Sequence, residues 1–324
     1  MKWFITGGCG FIGTSLVERL IQNPANKIRI FDNLETGNQE DLARVANFAT
    51  KANADCFTDV ELVVADIKNN LDVEKHMEGA DVVVHLAAKP GVRESVVDPT
   101  TSYHYNVRGT FNVFEAARRN GIKQVIFASS GACVGDYDPP ITEDMFPNPI
   151  SPYGATKICG EMMAAAYYHA YEMNIASLRF SNVYGPLSNH KNSLVAKFIR
   201  SAIYGKILEI YGDGAQTRDF IYTHDLINAI QLCVQKRSSG TYQVCTGEET
   251  SVNDITGMLV DILQRRGITG IEVIHTEPKV GDLRTNWASN EKIGKLGWKP
   301  KMSLQKGLEE TVSWFLQQKT DSPD

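Results

Sequence analysis

A short apolar run at Lys2–Thr6 leads through a cluster of glycines into residues 14–21, where apolar positions recur at helical spacing. That order predicts strand, turn and helix. The same alternation continues. Apolar strands are expected at 27–31, 61–65, 81–88, 124–130 and 175–180, with helices starting near 68 and spanning 102–120 and 152–171. The run Asp81-Val-Val-Val-His-Leu-Ala-Ala88 has no polar alternation, as a parallel strand covered on both faces requires. Residues 38–59 have low apolar content and read as a helix and loop. Six such alternations predict an α/β fold with a doubly wound parallel sheet, whose ligand lies at the carboxyl ends of its strands.

Beyond Ser181 the pattern loosens. A loop at 182–186, a helix at 193–204, a short strand at 207–210 and a helix at 224–235 precede a strand at 242–245 that is expected to return to the main sheet. From Ser251 onward helices mix with a hairpin-like region around 271–275, then an amphipathic helix at 303–319 and a loose tail. A chain of 324 residues exceeds the size at which one core stops growing. Two subdomains are therefore expected: residues 1–180, with about 219–248 returning to them, and a smaller C-terminal α/β substrate domain at 181–324.

Composition narrows the partners. Lys and Arg number 33 against 38 Asp and Glu, with no long block of either sign, which argues against a nucleic-acid or membrane surface. Small molecules are the expected ligands. The 6 cysteines are scattered without metal-ligand spacing, so they read as reduced thiols and no metal is expected. No apolar run reaches membrane-spanning length, and the first residues run straight into the glycine turn, leaving no room for a leader. A cytoplasmic protein is expected.

Chemistry concentrates in a few stretches. Gly7, Gly10 and Gly13 are spaced G-x-x-G-x-x-G between a strand and a helix, a geometry that lets backbone approach a pyrophosphate at the helix amino end. The alternative is a plain βα turn with glycines for packing. Asp32 closes the second strand at the distance where a carboxylate meets the adenosine ribose, which favours NAD over NADP because it would repel a 2′-phosphate. Asn33 adds polarity without a cation. Asp66 and Ile67, after the next strand, could hold an adenine by edge and face, or Asp66 could cap the helix near Lys68. Small Ala87 and Ala88 let the chain pass close to a cofactor, whereas His85 reads as a satisfied core histidine. Tyr153 and Lys157 share a helical face, and an ammonium beside the phenol would lower a pKa that starts near 10. That spacing alone fits equally a tyrosine and a lysine on a helix surface.

Together these residues resemble the extended short-chain dehydrogenase/reductase family, and within it the nucleotide-sugar epimerases similar to UDP-glucose 4-epimerase. The markers, over nearly the whole chain, are Thr6-Gly-Gly-Cys-Gly-Phe-Ile-Gly13, His85-Leu-Ala-Ala88, Asn106-Val-Arg-Gly-Thr110, Ser129-Ser130, Tyr153-x-x-x-Lys157, Arg179-Phe-Ser-Asn182-Val-Tyr-Gly-Pro186 and Gly212-Asp-Gly-x-x-x-Arg218-Asp-Phe. The resemblance implies a Rossmann domain holding NAD against Gly7, Gly10, Phe11, Ile12, Gly13, Asp32, Asn33, Asp66, Ile67, Leu86, Ala87, Ala88, Asn106, Tyr153 and Lys157. It implies a nucleoside diphosphate sugar, of the UDP-sugar type, contacted by Ser130, Tyr153, Asn182, Arg218 and Asp282. It also implies a catalytic set of Ser130, Tyr153 and Lys157: Tyr153 takes the proton of the sugar 4-hydroxyl while the C4 hydride moves to NAD, and the 4-keto sugar turns over before receiving that hydride back. Pairing through the helices at 102–120 and 153–171 would give a homodimer.

Departures from the family pattern sharpen the reaction. Relatives that dehydrate or decarboxylate place an acid pair just after the catalytic hydroxyl. Gly131-Ala132 stand there in this chain and move no proton, which favours an epimerase. Val134 and Lys279 stand where the family usually has Tyr and Arg, and Arg284 lies near enough to substitute for the latter. Asn286 leaves N-acetylated sugars possible. Arg93 could meet a uronic acid carboxylate or pair with Glu94 or Asp98. UDP-glucose and UDP-galactose are the favoured substrates.

Overall fold

The computed structural model describes residues 1–51, 56–278 and 283–321. In chain order its elements begin β1 (Lys2–Thr6), α1 (Phe11–Leu20), β2 (Lys27–Asp32), α2 (Gln39–Val45), β3 (Ala49–Lys51), β4 (Val60–Val64), α3 (Asn70–Met77) and β5 (Val82–His85). Then come α4 (Val92–Val97), α5 (Pro99–Tyr103), α6 (Thr110–Arg119), β6 (Gln124–Ser130), α7 (Pro152–Tyr171) and β7 (Asn174–Phe180). The remainder comprises β8 (Asn182–Tyr184), α8 (Leu194–Ile203), β9 (Leu208–Tyr211), β10 (Thr217–Arg218), β11 (Phe220–Tyr222), α9 (Thr223–Gln235) and β12 (Gly240–Val244). It ends with β13 (Thr250–Ser251), α10 (Val252–Arg265), β14 (Val273–Thr276), β15 (Thr285–Asn286), α11 (Glu291–Gly294) and α12 (Leu304–Asp321).

The chain divides into two compact units. One comprises Met1–Asp136, Glu143–Phe180 and Ile227–Gln243; the other comprises Tyr137–Thr142, Ser181–Leu226 and Val244–Asp324. In the first, eight strands form one sheet in the order β12-β7-β6-β5-β1-β2-β4-β3. β1 pairs in parallel with both β2 and β5. The chain winds outward from β1 through β2 and β4 on one side and through β5, β6 and β7 on the other, so β1 marks the switch point where such sheets bind ligands. The strand expected at 242–245 joins this sheet as β12. The core on one face of the sheet is Phe4, Phe31, Val83, Val125 and Phe127 against Phe114, Val113 and Tyr167. Helix α7 comes unusually close: a Cβ on Gly160 would lie 2.3 Å from the Phe127 ring.

Inside the same sheet lies an ion pair that periodicity does not show. Arg29 and Glu61 face each other in register across β2 and β4. Arg29 Nε donates to Glu61 Oε1 at 2.5 Å and Nη1 donates to the His76 carbonyl at 2.8 Å, with both side chains buried.

Several boundaries differ from the sequence reading. Helix α1 starts at Phe11, not residue 14, because extended Gly10 is its N-cap. The helix expected over 102–120 is interrupted: a π-helical turn, His104–Gly109, joins α5 to α6. Short strand β3 lies hidden in the polar 38–59 region. The hairpin-like region at 271–275 is no hairpin; β14 pairs in parallel with β9, Val273 beside Leu208. Helix α3 is capped by Asn69, which accepts the Asp72 N–H, so Asp66 does not cap it.

The second unit has its own core, with Phe198 and Ile199 of α8 and Ile255 and Leu259 of α10 packed with Tyr184, Tyr222 and Leu308.

Candidate active site

The glycine turn is built by exclusion. Gly7 has φ +72°, and a Cβ there would sit 2.6 Å from the Ala87 nitrogen; one on Gly13 would sit 2.3 Å from the Gly7 carbonyl oxygen. These two glycines let β1, the end of β5 and α1 close together. Gly10 differs: its Cβ position meets only the Gly7 oxygen, at 3.3 Å. The turn therefore stays open at Gly10, and no side chain caps the amino end of α1 that follows. A helix amino end without a side-chain cap, beside an open backbone surface, fits a pyrophosphate. Phe11 and Ile12 form the first turn of that helix.

Asp32 ends β2 next to this turn. Its buried carboxylate accepts the Cys9 and Leu34 N–H groups, both at 2.9 Å. Burial raises its pKa above the ordinary carboxylate value, and the two amides pull it back down. On the outer side, Asp66 accepts from Asn33 Nδ2 at 3.2 Å and from the Lys68 N–H at 2.8 Å. The Tyr105 hydroxyl lies 3.3 Å from Asp66 and donates to Glu35 at 2.6 Å, while Lys89 pairs with Glu35. Neither Glu35, Lys89 nor Tyr105 belongs to a motif; Glu35 follows Asp32 by three residues, and the fold brings Lys89 and Tyr105 to it. Ile67 is buried under Gly109. Leu86 donates its N–H to the Thr6 carbonyl, which fixes Ala87 beside Gly7, with Ala88 following in the chain. Asn106, in the π-helical turn, reads the Lys89 backbone with both ends of its amide and donates to Thr156. His85 is a satisfied core histidine between Thr6 and Thr110, and its burial holds its pKa down at about 3.

At the ends of β6 and α7, the structure assembles Ser130, Tyr153 and Lys157. Ser151 caps α7 by accepting the Gly154 N–H at 3.1 Å, with Pro152 in the first turn. Lys157 is buried and its Nζ donates to the Ala128 carbonyl at 2.8 Å, 5.8 Å from the Tyr153 ring centre. Burial depresses the lysine to about 8. The phenol does not have the lowered pKa that the spacing implied. Burial pushes Tyr153 up to about 12, opposed by a hydrogen bond from Ser130. Lowering it needs a further positive charge at the ring. Ser130 also accepts the Ala132 N–H at 3.2 Å, which opens the tight turn Gly131–Cys133. The Cys133 thiol in that turn is buried and pushed up to about 12.

In the second unit, Asn182 and Arg218 line one cavity of about 240 Å³ together with Lys197, Glu209, Tyr211 and Gln216. Arg218 Nη1 donates to the Leu283 carbonyl at 2.8 Å. Nearby, Asp213 binds Arg284, and Asp219 accepts from the Thr246 and Gly247 amides. Arg284, the considered substitute for an arginine at the place of Lys279, is thus committed to Asp213. Lys197 lies 5.5 Å from the centre of the Tyr211 ring. No sequence signal singles out Lys197 or Tyr211, since only the packing of α8 beside β9 brings them to one wall. Asp282 and Lys279 lie outside the described residues. Among the described residues no cluster of metal-ligating side chains occurs, and no helix is long and apolar enough to cross a membrane.

Residues 3–245 match the model of the NAD dependent epimerase/dehydratase family. A UDP-glucose 4-epimerase of Mycolicibacterium smegmatis is 33% identical over 323 residues, covering 97% of this chain and 98% of that protein. Two solved structures superpose with a TM-score of 0.88 at 31% identity: a UDP-N-acetylglucosamine 4-epimerase of Methanobrevibacter ruminantium with UDP-N-acetylmuramic acid, covering 98% of both chains, and a UDP-glucose 4-epimerase of Thermotoga maritima with UDP-glucose, covering 98% of this chain and 99% of that one.

Proposed function

We propose that this chain, which belongs to the NAD-dependent epimerase/dehydratase family, inverts C4 of a UDP-hexose, with UDP-glucose and UDP-galactose as the favoured pair. The observation that carries the reading is the turn after Ser130. Gly131 and Ala132 have no ionisable group, and the Cys133 thiol is buried against Ser129. Nothing in that turn delivers the extra proton that dehydration of the sugar needs.

The residues present fit the cofactor. The open backbone at Gly10 and the uncapped end of α1 would take the pyrophosphate, Asp32 the adenosine ribose, and Asn33, Asp66 and Ile67 the adenine side. Leu86, Ala87, Ala88 and Asn106 would line the path toward Lys157. NAD, when bound, supplies a reversible two-electron acceptor and a positive charge beside Tyr153. That charge is what the phenol needs, since burial alone holds it protonated. Tyr153 then takes the proton of the 4-hydroxyl and gives it back on the return step, with Ser130 orienting the same hydroxyl. Lys157, held on the Ala128 carbonyl, keeps a cation near the phenolate. Arg218 and Asn182 anchor the diphosphate, and Lys197 and Tyr211 complete that pocket.

Incubation with UDP-glucose, UDP-N-acetylglucosamine and UDP-glucuronate, with product separation, tests the reading. A 4-epimer from UDP-glucose supports it; accumulation of a 4-keto sugar or release of carbon dioxide would replace it. Arg218→Ala is expected to raise KM about 10- to 100-fold with kcat little changed, because a charge-assisted contact to phosphate contributes to binding and not to the chemical step. Steady-state kinetics checks this.

The protein pairs with a second copy through α5, α6 and α7. These helices pack together and leave Tyr103, Phe111, Met162, Tyr168 and Tyr171 exposed, side chains of the kind that a pairing face buries. Light scattering should give twice the chain mass, and Phe111→Glu with Met162→Glu should return the monomer. A monomeric wild type would overturn the pairing.

A further inference from the structure

Behind Ser130 and Lys157 lies a buried ionic junction that the reaction does not use directly. Glu161 stands one helical turn beyond Lys157 on the face of α7 that also carries Tyr153. Arg179, on β7, grips it with both arms of its fork: Nε to Oε1 at 2.9 Å and Nη2 to Oε2 at 2.7 Å. The side chains are 1% and 3% exposed, so neither charge is shared with solvent. Glu161 Oε1 also accepts the Ser129 hydroxyl at 2.5 Å, and Ser129 Oγ lies 3.3 Å from the Cys133 sulfur.

The junction therefore touches both ends of the segment that presents Ser130. Ser129 precedes it, and Cys133 closes the turn that the Ser130 hydroxyl opens. The same carboxylate sits one turn from Lys157, whose ammonium is fixed to the Ala128 carbonyl one residue before Ser129. A buried ion pair is weak evidence for stability, because desolvation offsets its attraction. A fork that fixes two elements at once is better explained by geometry.

We propose that Glu161 and Arg179 are positioning residues: the pair fixes the Ser130 turn and the Lys157 ammonium in one frame. This rests on the roles proposed above for Ser130 and Lys157. The charged and titratable groups facing Lys157 are Glu161 and Tyr153 on its own helix, Cys133 on the turn, Arg179 on β7 behind Glu161, and His85 on β5, which burial keeps neutral. Among them Glu161 is the carboxylate, and the Arg179 fork holds it in place. Burial lowers the pKa of Lys157 and Glu161 opposes that shift, so without the carboxylate the lysine would lose its proton at lower pH.

Three variants test this. Ser129→Ala cuts the link to the turn and leaves the ion pair whole; kcat is expected to fall about tenfold with KM unchanged, the pattern of lost alignment in the chemical step. Glu161→Gln is expected to move the titration of Lys157, followed by NMR of the 15N-labelled ammonium without cofactor or sugar, below the value near 8 of the parent, and to move the alkaline limb of kcat the same way. Should that variant fail to fold, the double replacement Glu161→Met with Arg179→Met, which leaves no buried charge unpaired, takes its place; it is expected to fold and to lose kcat. Wild-type kcat in both Ser129→Ala and the double variant, or an unmoved Lys157 titration in folded Glu161→Gln, overturns the proposal. The NMR titration reads the junction even if the parent protein epimerises none of the sugars, so the two failures are separable.

Discussion

Tyr153→Phe is expected to reduce kcat by about 10³-fold, the scale of losing a positioned general acid and base, while the protein purifies with as much NAD as the parent. The phenol is placed by the start of α7: Ser151 caps the helix, and the Tyr153 N–H donates to Ser95 Oγ at 3.0 Å. These contacts use backbone, and the phenol's own hydrogen bond is to Ser130, so phenylalanine fills the same space and removes only the hydroxyl. The affected property is proton transfer. Burial sets the phenol at about 12, and a group with that pKa is almost wholly protonated at neutral pH. It becomes a base only when a positive charge is brought to the ring. The parent enzyme should accordingly lose kcat as pH falls below the pKa that the phenol has in the loaded protein, and Tyr153→Phe should show little of that dependence. Equal kcat in the two proteins would remove Tyr153 from the reaction.

Arg29→Met is expected to have the largest effect on stability, about 3–5 kcal/mol, read as a lower urea midpoint of the unit that carries the parallel sheet. The loss comes from what remains. Glu61 is buried between strands, with Thr58 Oγ1 as its other partner at 3.2 Å, and removing the guanidinium leaves an uncompensated carboxylate there. The His76 carbonyl loses a donor in the same step. Replacing both members, Arg29→Met with Glu61→Leu, should recover most of the midpoint, because the desolvation of both charges disappears with them. A single variant as stable as the parent would mean that water reaches the site.

Much of the first unit was legible because parallel strands leave a strong trace. A strand such as Val82–His85 is covered on both faces and must be apolar throughout, and Gly7 and Gly13 occupy positions where any Cβ would strike backbone. Asp32 was legible for a similar reason, as the last residue of an apolar strand at a fixed distance from the turn. The second unit was less so. Its strands are two to four residues long, too short for a period to develop, and β14 reads as part of a hairpin because its parallel pairing with β9 depends on residues 65 positions apart.

What the sequence by itself determined was the chain order of the sheet's strands apart from β3, and the glycine turn; these follow from local pattern, since each depends on residues a few positions apart. Ser130, Tyr153 and Lys157 were singled out by the family resemblance. Only the tertiary structure decided the electrostatics. Spacing put an ammonium beside a phenol and implied a lowered pKa; folding gave the ammonium to the Ala128 carbonyl and buried the phenol, which raised it. Arg179 with Glu161, Arg29 with Glu61, and Lys197 with Tyr211 belong to the same class. Their partners are distant in sequence, and the free energy of a charge depends on the solvent excluded around it, which no local pattern records.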